Sequence, residues 1–403
     1  MKNLCYIQLL VLSIFTLFCC SNERLSEPAN FQNNIQNKIN IDFEEAVADK
    51  LSSIVSEVKY LELEESDQSL IGSIDDILFV DDQIFILDRT GEKILAFNIS
   101  GKHLFNINKK GGGPEEYVNL IDFTYDHTSQ SIVISTYSKI LWYDLGGHFV
   151  KSMNTPYAGG HSLTVLPNSN LAIYMAYSPL GNSDSFANLY VISPTGQVIE
   201  RFLPFDEGLR SDIMLHPHSV FAKRDTSILF FTQYSRNIFQ LSSNALTALY
   251  EVDFGSHNLP TDFETEYLKN GGMSYEQVLK LRENNEWAHL TGVAPMLADN
   301  WLYFLVTFQP GYDMDHFVYN LKSGQLIQYN DKSTINDIGG NYVPTNYFTF
   351  QDYFVSVVYP SELKNALEKT SIHEIDIQNT IVNMEIGENP VLRLVKFKSN
   401  DEN

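Results

Sequence analysis

A short phrase recurs along the chain: an alternating strand, a turn that contains glycine or small polar residues, and a second strand. The turn glycines Gly101, Gly147 and Gly196 are separated by 46 and 49 residues. Such residues supply the positive φ that tight hairpin turns need. A period of roughly 40 to 50 residues with about four short strands per unit is typical of a β-propeller and not of a sandwich or a helical solenoid.

Counting these phrases gives the number of blades. Five hairpin copies turn at Ser100-Gly101, Gly146-Gly147, Thr195-Gly196, Ser243-Asn244 and Ser323-Gly324. A sixth unit has strands at 346–351, 353–359 and 389–398 and lacks an outer strand. The unassigned strand Glu57–Glu65 can pair with the last one, which leaves no open sheet edge. The sequence predicts an all-β fold, a six-bladed propeller of four-stranded antiparallel blades closed by an N-terminal strand.

Two helical insertions interrupt the strand pattern within a propeller that we expect to span 45–398, ahead of a short tail at 399–403. The insertion at about 260–287 has apolar residues at helical spacing and breaks at Gly271-Gly272. The insertion at about 360–370 opens with Pro, Ser and Glu, which favour a helix start. Such insertions commonly cap one mouth of the channel, although they can also simply cover apolar surface.

The first 19 residues have the proportions of a signal peptide, with Lys2 followed by an apolar run that is too short to span a bilayer. The run resembles a bacterial lipoprotein signal with Cys20 as the lipidated residue. An ordinary secretory peptide cut nearby and an uncleaved anchor are the alternatives. Cleavage before Cys20 removes the other two cysteines, which excludes disulfides and thiolate metal sites from the folded part. Residues 20–44 are polar and predict a flexible tether.

Three segments carry a resemblance to a known family. They are "VSEVKYLELEESDQSLIGSIDDI" before the first blade, the Gly-x-Gly-Pro-x-Glu-Tyr element at Gly111–Tyr117, and "NPVLRLVKFK" at the end. The chain resembles the six-bladed β-propeller lipoproteins of Bacteroidetes, which are similar in shape to NHL-repeat propellers. The resemblance implies the fold and a place in the cell envelope, anchored by lipid to the outer membrane and either periplasmic or surface-exposed. The family has no settled activity, so no function is implied.

The net charge is −23, from 50 acidic and 27 basic residues. This field repels polyphosphate, so nucleic acid is excluded as a partner. An acidic excess favours cations or cationic ligands, and it also serves solubility alone. We expect a monomer.

The stretch "KKGGGPEEY" (109–117) invites comparison with a phosphate-binding loop. Such a loop needs Lys and Ser or Thr directly after its last glycine, whereas Pro114 and two glutamates follow here. We therefore interpret the stretch as a structural inter-blade loop, formed by Gly111, Gly113, Pro114, Glu116 and Tyr117. Lys110 stays a candidate ligand contact.

Three histidines stand near the starts of predicted inner strands, at His161, His218 and His289. Inner strands converge on the propeller axis, so these imidazoles could hold a zinc ion that activates water. Unconnected histidines in ordinary hydrogen bonds are the alternative. Asp313 and Asp315 are a weaker candidate pair for calcium, with a solvated turn as the alternative. Zinc and calcium are the only cofactors that the sequence suggests.

Other candidate ligand contacts lie in loops, where flat rings and a guanidinium could meet a sugar or a peptide. They are Tyr157, Arg210, Trp287 and Tyr312. The leading hypothesis is a membrane-anchored, non-enzymatic propeller that recognises a peptide, glycan or partner protein at a channel mouth, with no catalytic residue assigned. The alternatives are a metal-dependent lyase or hydrolase in the channel and a scaffold of an outer-membrane uptake complex.

Overall fold

The computed structural model describes residues 31–45, 47–154, 160–178, 186–205, 219–224, 227–232, 234–261, 263, 287–308, 314–339, 343, 345, 348–368, 375–384 and 387–398. Within these ranges, 25 strands form six sheets.

Blades 1 to 3 follow the chain in simple order. Blade 1 contains β3 (Asp76–Val80), β4 (Gln83–Asp88), β5 (Lys93–Asn98) and β6 (His103–Ile107). Blade 2 contains β7 (Leu120–Asp126), β8 (Ser131–Thr136), β9 (Lys139–Asp144) and β10 (Phe149–Asn154). Blade 3 contains β11 (Ser162–Val165), β12 (Leu171–Tyr174), β13 (Ala187–Ile192) and β14 (Val198–Pro204). Each strand pairs antiparallel with the next.

Blades 4 to 6 add the two N-terminal strands, β1 (Gln32–Asn40) and β2 (Val55–Leu61). Blade 4 contains β15 (Phe221–Arg224), β16 (Ser227–Phe230), β17 (Asn237–Leu241) and β18 (Leu246–Asp253), with β1 beside β18. Blade 5 contains β19 (Ala288–Ala298), β20 (Trp301–Phe308), β21 (Met314–Asn320) and β22 (Leu326–Tyr329). Blade 6 contains β23 (Phe348–Phe350), β24 (Tyr353–Val358) and β25 (Val391–Phe397), with β2 outermost.

The six inner strands form a closed ring around the axis. Contacts run from β3 to β7, β11, β15, β19 and β23, and then from β23 back to β3. The predicted six-bladed propeller of four-stranded antiparallel blades is therefore confirmed.

The closing strand is also confirmed, although it begins at Val55 and ends at Leu61. It pairs antiparallel with β25, with Val58 opposite Val395. Beyond the strand, the Glu64 N–H donates a 2.8 Å hydrogen bond to the Gly101 carbonyl in the hairpin turn of blade 1. The segment thus fastens the last blade to the first.

β1 corrects the prediction of a flexible tether over 20–44. Gln32–Asn40 pairs in parallel with β18 as a fifth strand of blade 4. The prediction was wrong because most residues of the segment are polar. Its few apolar residues nevertheless follow a period of two, in which Ile35 is partly buried and Ile39 is 1% exposed. Phe31, just before it, packs edge-on against Phe239 at 5.0 Å. The segment is held by apolar packing as well as by the backbone ladder.

The core lies between successive blades, so most strands bury both faces. Between blades 1 and 2, Phe85 and Phe123 share one apolar cluster with Tyr143. Between blades 2 and 3, Trp142 packs in a cluster with Tyr190. Burial on both sides explains why the middle strands are near-continuous apolar runs and do not alternate.

The described ranges contain the α-helices α1 (Leu51–Ile54), α2 (Pro360–Glu368) and α3 (Ile375–Val382), and a short 3₁₀ helix at Gly255–His257. α2 begins at Pro360, within the predicted insertion, and buries Leu363 and Ala366. α3 follows it and contacts both α2 and β2. Nearly all of the predicted insertion at 260–287 lies outside the described residues. No helix in the described part of the chain is long and apolar enough to cross a bilayer.

Candidate functional site

A cavity of about 610 Å³ occupies the propeller channel. Residues from all six inner strands line it. Its rim includes the exposed residues Asp81, His127 and Asp352, which follow the ends of inner strands or the turn after them. The cavity is therefore set where the blades converge and can be reached from one mouth of the channel.

Two of the carboxylates that line this cavity lie on the neighbouring inner strands of blades 1 and 2. Asp122, on β7, is 5% exposed. Its Oδ2 accepts hydrogen bonds from the Leu163 N–H at 2.6 Å and from Ser162 Oγ at 2.9 Å, both on β11. Asp76, on β3, accepts one hydrogen bond, from the Ile77 N–H to Oδ1 at 2.7 Å. The other oxygen of Asp76 has no hydrogen-bond partner in the described part of the chain.

The surroundings of the two carboxylates favour their protonated forms. Burial raises the pKa of Asp76 well above its ordinary value, and the nearby charge of Asp122 raises it further. Burial also raises the pKa of Asp122, against the opposing effect of its hydrogen bonds and of the Arg89 guanidinium. Two acids that are hard to ionise together can share a proton or bind a cation.

Lys223 reaches into the same cavity from β15. Its Nζ donates hydrogen bonds to Thr124 Oγ1 at 2.6 Å and to the Tyr125 carbonyl at 3.0 Å, both on β7. Burial lowers the pKa of Lys223 to about 7, although the charges of Asp126, Asp122 and Asp76 partly oppose this. Lysines with a pKa near neutrality and paired acids with raised pKa values cluster at functional sites.

The remaining lining supplies a hydroxyl and aromatic surface. Thr164, on β11, is 1% exposed, and its Oγ1 has no hydrogen-bond partner among the described residues. Phe79 and Phe350, on β3 and β23, stack at 4.6 Å between ring centroids. Both rings line the cavity. The cavity thus combines apolar walls with a few polar groups, as small-molecule sites do.

The predicted histidine site stays a prediction, because His218 is one of its three residues and is not described. His161 lies just before β11, where its backbone N–H donates to the Tyr174 carbonyl. His289, at the start of β19, hydrogen-bonds through Nδ1 to the Leu290 carbonyl. Neither histidine lines the cavity. His218 lies outside the described residues, and no group of three metal-ligating side chains occurs within them.

Predicted loop contacts also lie elsewhere. Lys110 forms an ion pair with Glu92, and Trp287 packs edge-on against Phe263 at 5.8 Å. Asp315 is buried and accepts a 2.6 Å hydrogen bond from Asn330 Nδ2. The other predicted residues fall outside the described ranges: Cys20, Tyr157, Arg210, Tyr312 and Asp313.

The glycine-rich stretch lies between β6 and β7, where the chain passes from blade 1 to blade 2. The Gly113 N–H donates to Glu116 Oε2 at 2.7 Å, so a carboxylate occupies the place that a phosphate would need. Tyr117 is 1% exposed, and its hydroxyl donates to the Ile107 carbonyl at 2.8 Å. Lys139 Nζ donates to the Gly113 carbonyl at 2.6 Å. These contacts give the loop a structural role.

Sequence reasoning missed Asp76, Asp122 and Lys223. A signal for the two acids was present, because "IDDILFV" and "LIDFTYD" each place an acid early in an apolar first strand of a blade. Charged residues are rarely buried without a partner, so an acid that recurs in an otherwise buried strand indicates a structural or functional role. Lys223 had no comparable signal, since its contacts are with a strand two blades away.

The chain is similar to one protein family and to solved structures. A family model described as a domain of unknown function, DUF4934, matches residues 37–396. The structure of a Bacteroides fragilis protein described as exported superposes with a TM-score of 0.76 and 18% identity, covering 90% of this chain and 100% of that one. A duf4221 family member from Bacteroides vulgatus gives a TM-score of 0.46 and 12% identity, covering 85% and 97%. No functionally curated protein matches the sequence.

Proposed function

This chain belongs to the DUF4934 family, and from that premise we propose that it is a cell-envelope binding protein that holds a small ligand in its channel cavity. The observation that carries the proposal is the cavity itself. Its volume of about 610 Å³ lies within the roughly 300–1,000 Å³ typical of ligand pockets. A short peptide or a small glycan has a comparable size.

The buried polar groups of the cavity support binding over a purely structural role. Asp76 keeps a carboxylate oxygen without a partner, and Thr164 keeps a hydroxyl without one, within the described residues. Leaving the buried Thr164 hydroxyl unsatisfied costs stability, about 1–3 kcal/mol, and the half-buried Asp76 offers a further acceptor. A ligand that supplies the missing hydrogen bonds recovers this free energy on binding.

The location in the cell envelope is part of the same proposal. Residues 1–19 have the features of a lipoprotein signal, and Cys20 would carry the lipid. The Bacteroides fragilis protein that shares the fold is described as exported. The ligand would then be a molecule found in the periplasm or at the cell surface.

The test blocks the cavity and leaves its charged residues unchanged. Thr349, which is half-buried, lines the cavity, so Thr349→Trp should fill part of it. Thr195, in an exposed turn of blade 3, offers the matched control Thr195→Trp. Both variants and the wild type are incubated with small molecules and short peptides from an envelope extract, and retained ligands are identified by mass spectrometry.

Wild type and Thr195→Trp should retain the same ligand, and Thr349→Trp should lose it. Circular dichroism and thermal unfolding verify that all three proteins are folded. Equal retention by the two variants, or no retention by the wild type, would refute binding in the channel.

A further inference from the structure

The charge of the cavity suggests the chemical class of its ligand. Within the described residues, the acidic and basic side chains that line it, apart from the Tyr125 phenol, are one lysine, one histidine and four aspartates: Lys223, His127, Asp76, Asp81, Asp122 and Asp352. Carboxylates therefore outnumber the basic groups. A cationic ligand that enters such a site stabilises the ionised forms of these carboxylates, including Asp76 and Asp122, whereas an anion is repelled.

The side chains around the cavity favour an organic cation over a metal ion. Asp76 offers an oxygen that accepts no hydrogen bond from the described residues, and Phe79 on the same strand presents a ring against Phe350. Asp76 and Phe79 point to opposite faces of the strand, but both line the same cavity. A cavity lined by a carboxylate and by aromatic rings suits an ammonium group that carries an apolar substituent. The buried Thr164 hydroxyl, which lacks a partner among the described residues, can accept a further N–H bond.

Resting on the proposed function, we propose that the ligand of the channel carries an organic ammonium group, which Asp76 binds deep in the cavity while the aromatic walls cover the attached apolar part. The N-terminus or a lysine side chain of a peptide, an amino sugar and a free amine all belong to this class.

Lys223 must accommodate the incoming charge, because two cations near Asp76 would repel each other. The groups that face or surround its ammonium are Thr124, the Tyr125 carbonyl, Asp126, Asp122 and Asp76. Since its pKa is lowered to about 7, Lys223 can release a proton at little cost when a ligand cation arrives. Binding of an amine near neutral pH should therefore release protons.

Three probes of one shape and different charge test the ammonium class: benzylamine, benzyl alcohol and benzoate. Titration calorimetry at pH 7 should show benzylamine as the tightest ligand of the wild-type protein. Asp76→Asn should weaken benzylamine binding about tenfold or more, because a buried charged hydrogen bond is lost. Asp82→Asn removes a charge from an exposed turn at the same mouth and outside the cavity lining, so it should leave the affinity near wild type.

Proton release is measured by repeating the benzylamine titration in buffers of different ionisation enthalpy. The wild type should release a fraction of a proton, and Lys223→Met should release less. Unchanged release in that variant would refute the role assigned to Lys223.

The ammonium class is refuted if benzyl alcohol or benzoate binds as tightly as benzylamine, if none of the three binds, or if Asp76→Asn binds benzylamine like the wild type. The proposed function is judged separately, by the ligand that Thr349→Trp loses. A neutral ligand recovered in that experiment would keep the binding function and overturn its ammonium class.

Discussion

Lys223 Nζ, on the inner strand of blade 4, donates a 2.6 Å hydrogen bond to Thr124 Oγ1, on the inner strand of blade 2. The bond passes the inner strand of blade 3, which lies between them in the ring. It joins two blades that share no strand pairing, and it sets a basic group beside the acids of the channel.

Replacing Lys223 should change how stability depends on pH. Because burial lowers the pKa of Lys223 to about 7, the unfolded chain binds more protons than the folded one between about pH 7 and 10.5. Wild-type stability should therefore rise with pH in this window, by at most about 1.4 kcal/mol per pH unit from this group. Lys223→Met should lack this rise in urea unfolding series at several pH values. Parallel profiles for the two proteins would contradict the lowered pKa.

Replacing Asp76 should stabilise the protein at neutral pH. Burial raises the pKa of Asp76. The contribution of Asp76 to the free energy of unfolding therefore falls as the pH rises from the ordinary pKa of an aspartate toward the raised pKa of the folded state. Asp76→Asn lacks this loss, and we expect it to be more stable by about 0.5–2 kcal/mol at pH 7. Thermal unfolding should show the difference at pH 7 and its disappearance in acid, where the carboxyl is protonated in both states.

Asp122→Asn is the contrasting variant on the neighbouring strand. The Asp122 carboxylate accepts bonds from Leu163 N–H and Ser162 Oγ, and an amide cannot keep all its acceptor positions. The expected result is destabilisation, by about 1–3 kcal/mol. Stabilisation of both variants would mean that Asp122 does not link β7 to β11 as described.

The hairpin turn of blade 1 should be unusually sensitive to an added methyl group. At Gly101, whose φ is +81°, a Cβ would lie 1.8 Å from the Glu62 carbonyl oxygen. At Gly324, in the matching turn of blade 5, φ is +73° and the nearest neighbour, the Tyr319 hydroxyl, is 3.7 Å away. Gly324→Ala should cost about 1–2 kcal/mol for its left-handed conformation.

Gly101→Ala adds a backbone clash to the same conformational cost, so it should lose at least about 2 kcal/mol more. Urea unfolding measures both variants. Equal losses would indicate that the segment after β2 does not press against this turn.

Ile39 tests the packing of β1 onto blade 4. Its side chain is 1% exposed, so Ile39→Ala should destabilise the protein by about 2–4 kcal/mol. Asn34→Ala, at an exposed position of the same strand, should change stability by less than about 0.5 kcal/mol. Chemical denaturation of the two variants provides the comparison. Wild-type stability of Ile39→Ala would contradict the packing of β1 onto blade 4 and would support a flexible tether.

The fold could be predicted because hairpin chemistry repeats locally. Most blades carry a recognisable hairpin-turn sequence, as at Gly147. The period between these turns identifies the propeller without any knowledge of long-range contacts. The partner of β2 was deduced from the missing outer strand of blade 6, since an open edge is unfavourable. β1 escaped prediction because a parallel strand at a sheet edge needs no turn signal and only one fully buried side chain, Ile39.

The candidate site was harder to predict because it depends on distances between strands that are remote in sequence. The histidine prediction rests on residue type at the start of a strand, and residue type alone does not establish where a side chain points. Asp76 and Lys223 gain their unusual chemistry from burial in a shared cavity, and burial of this kind is a property of the closed ring. No local sequence pattern around Lys223 predicts its burial in the cavity.

The pairing of β2 with β25 joins residues such as Ser56 and Lys396, which are 340 positions apart in sequence. Loop closure on that scale is entropically costly and slow. Until β25 is available, β2 has no strand to pair with, and blade 6 lacks its outer strand. We therefore expect the ring to stay open at blade 6 until β25 has formed, so that the join between the last blade and the first forms in the final step of folding.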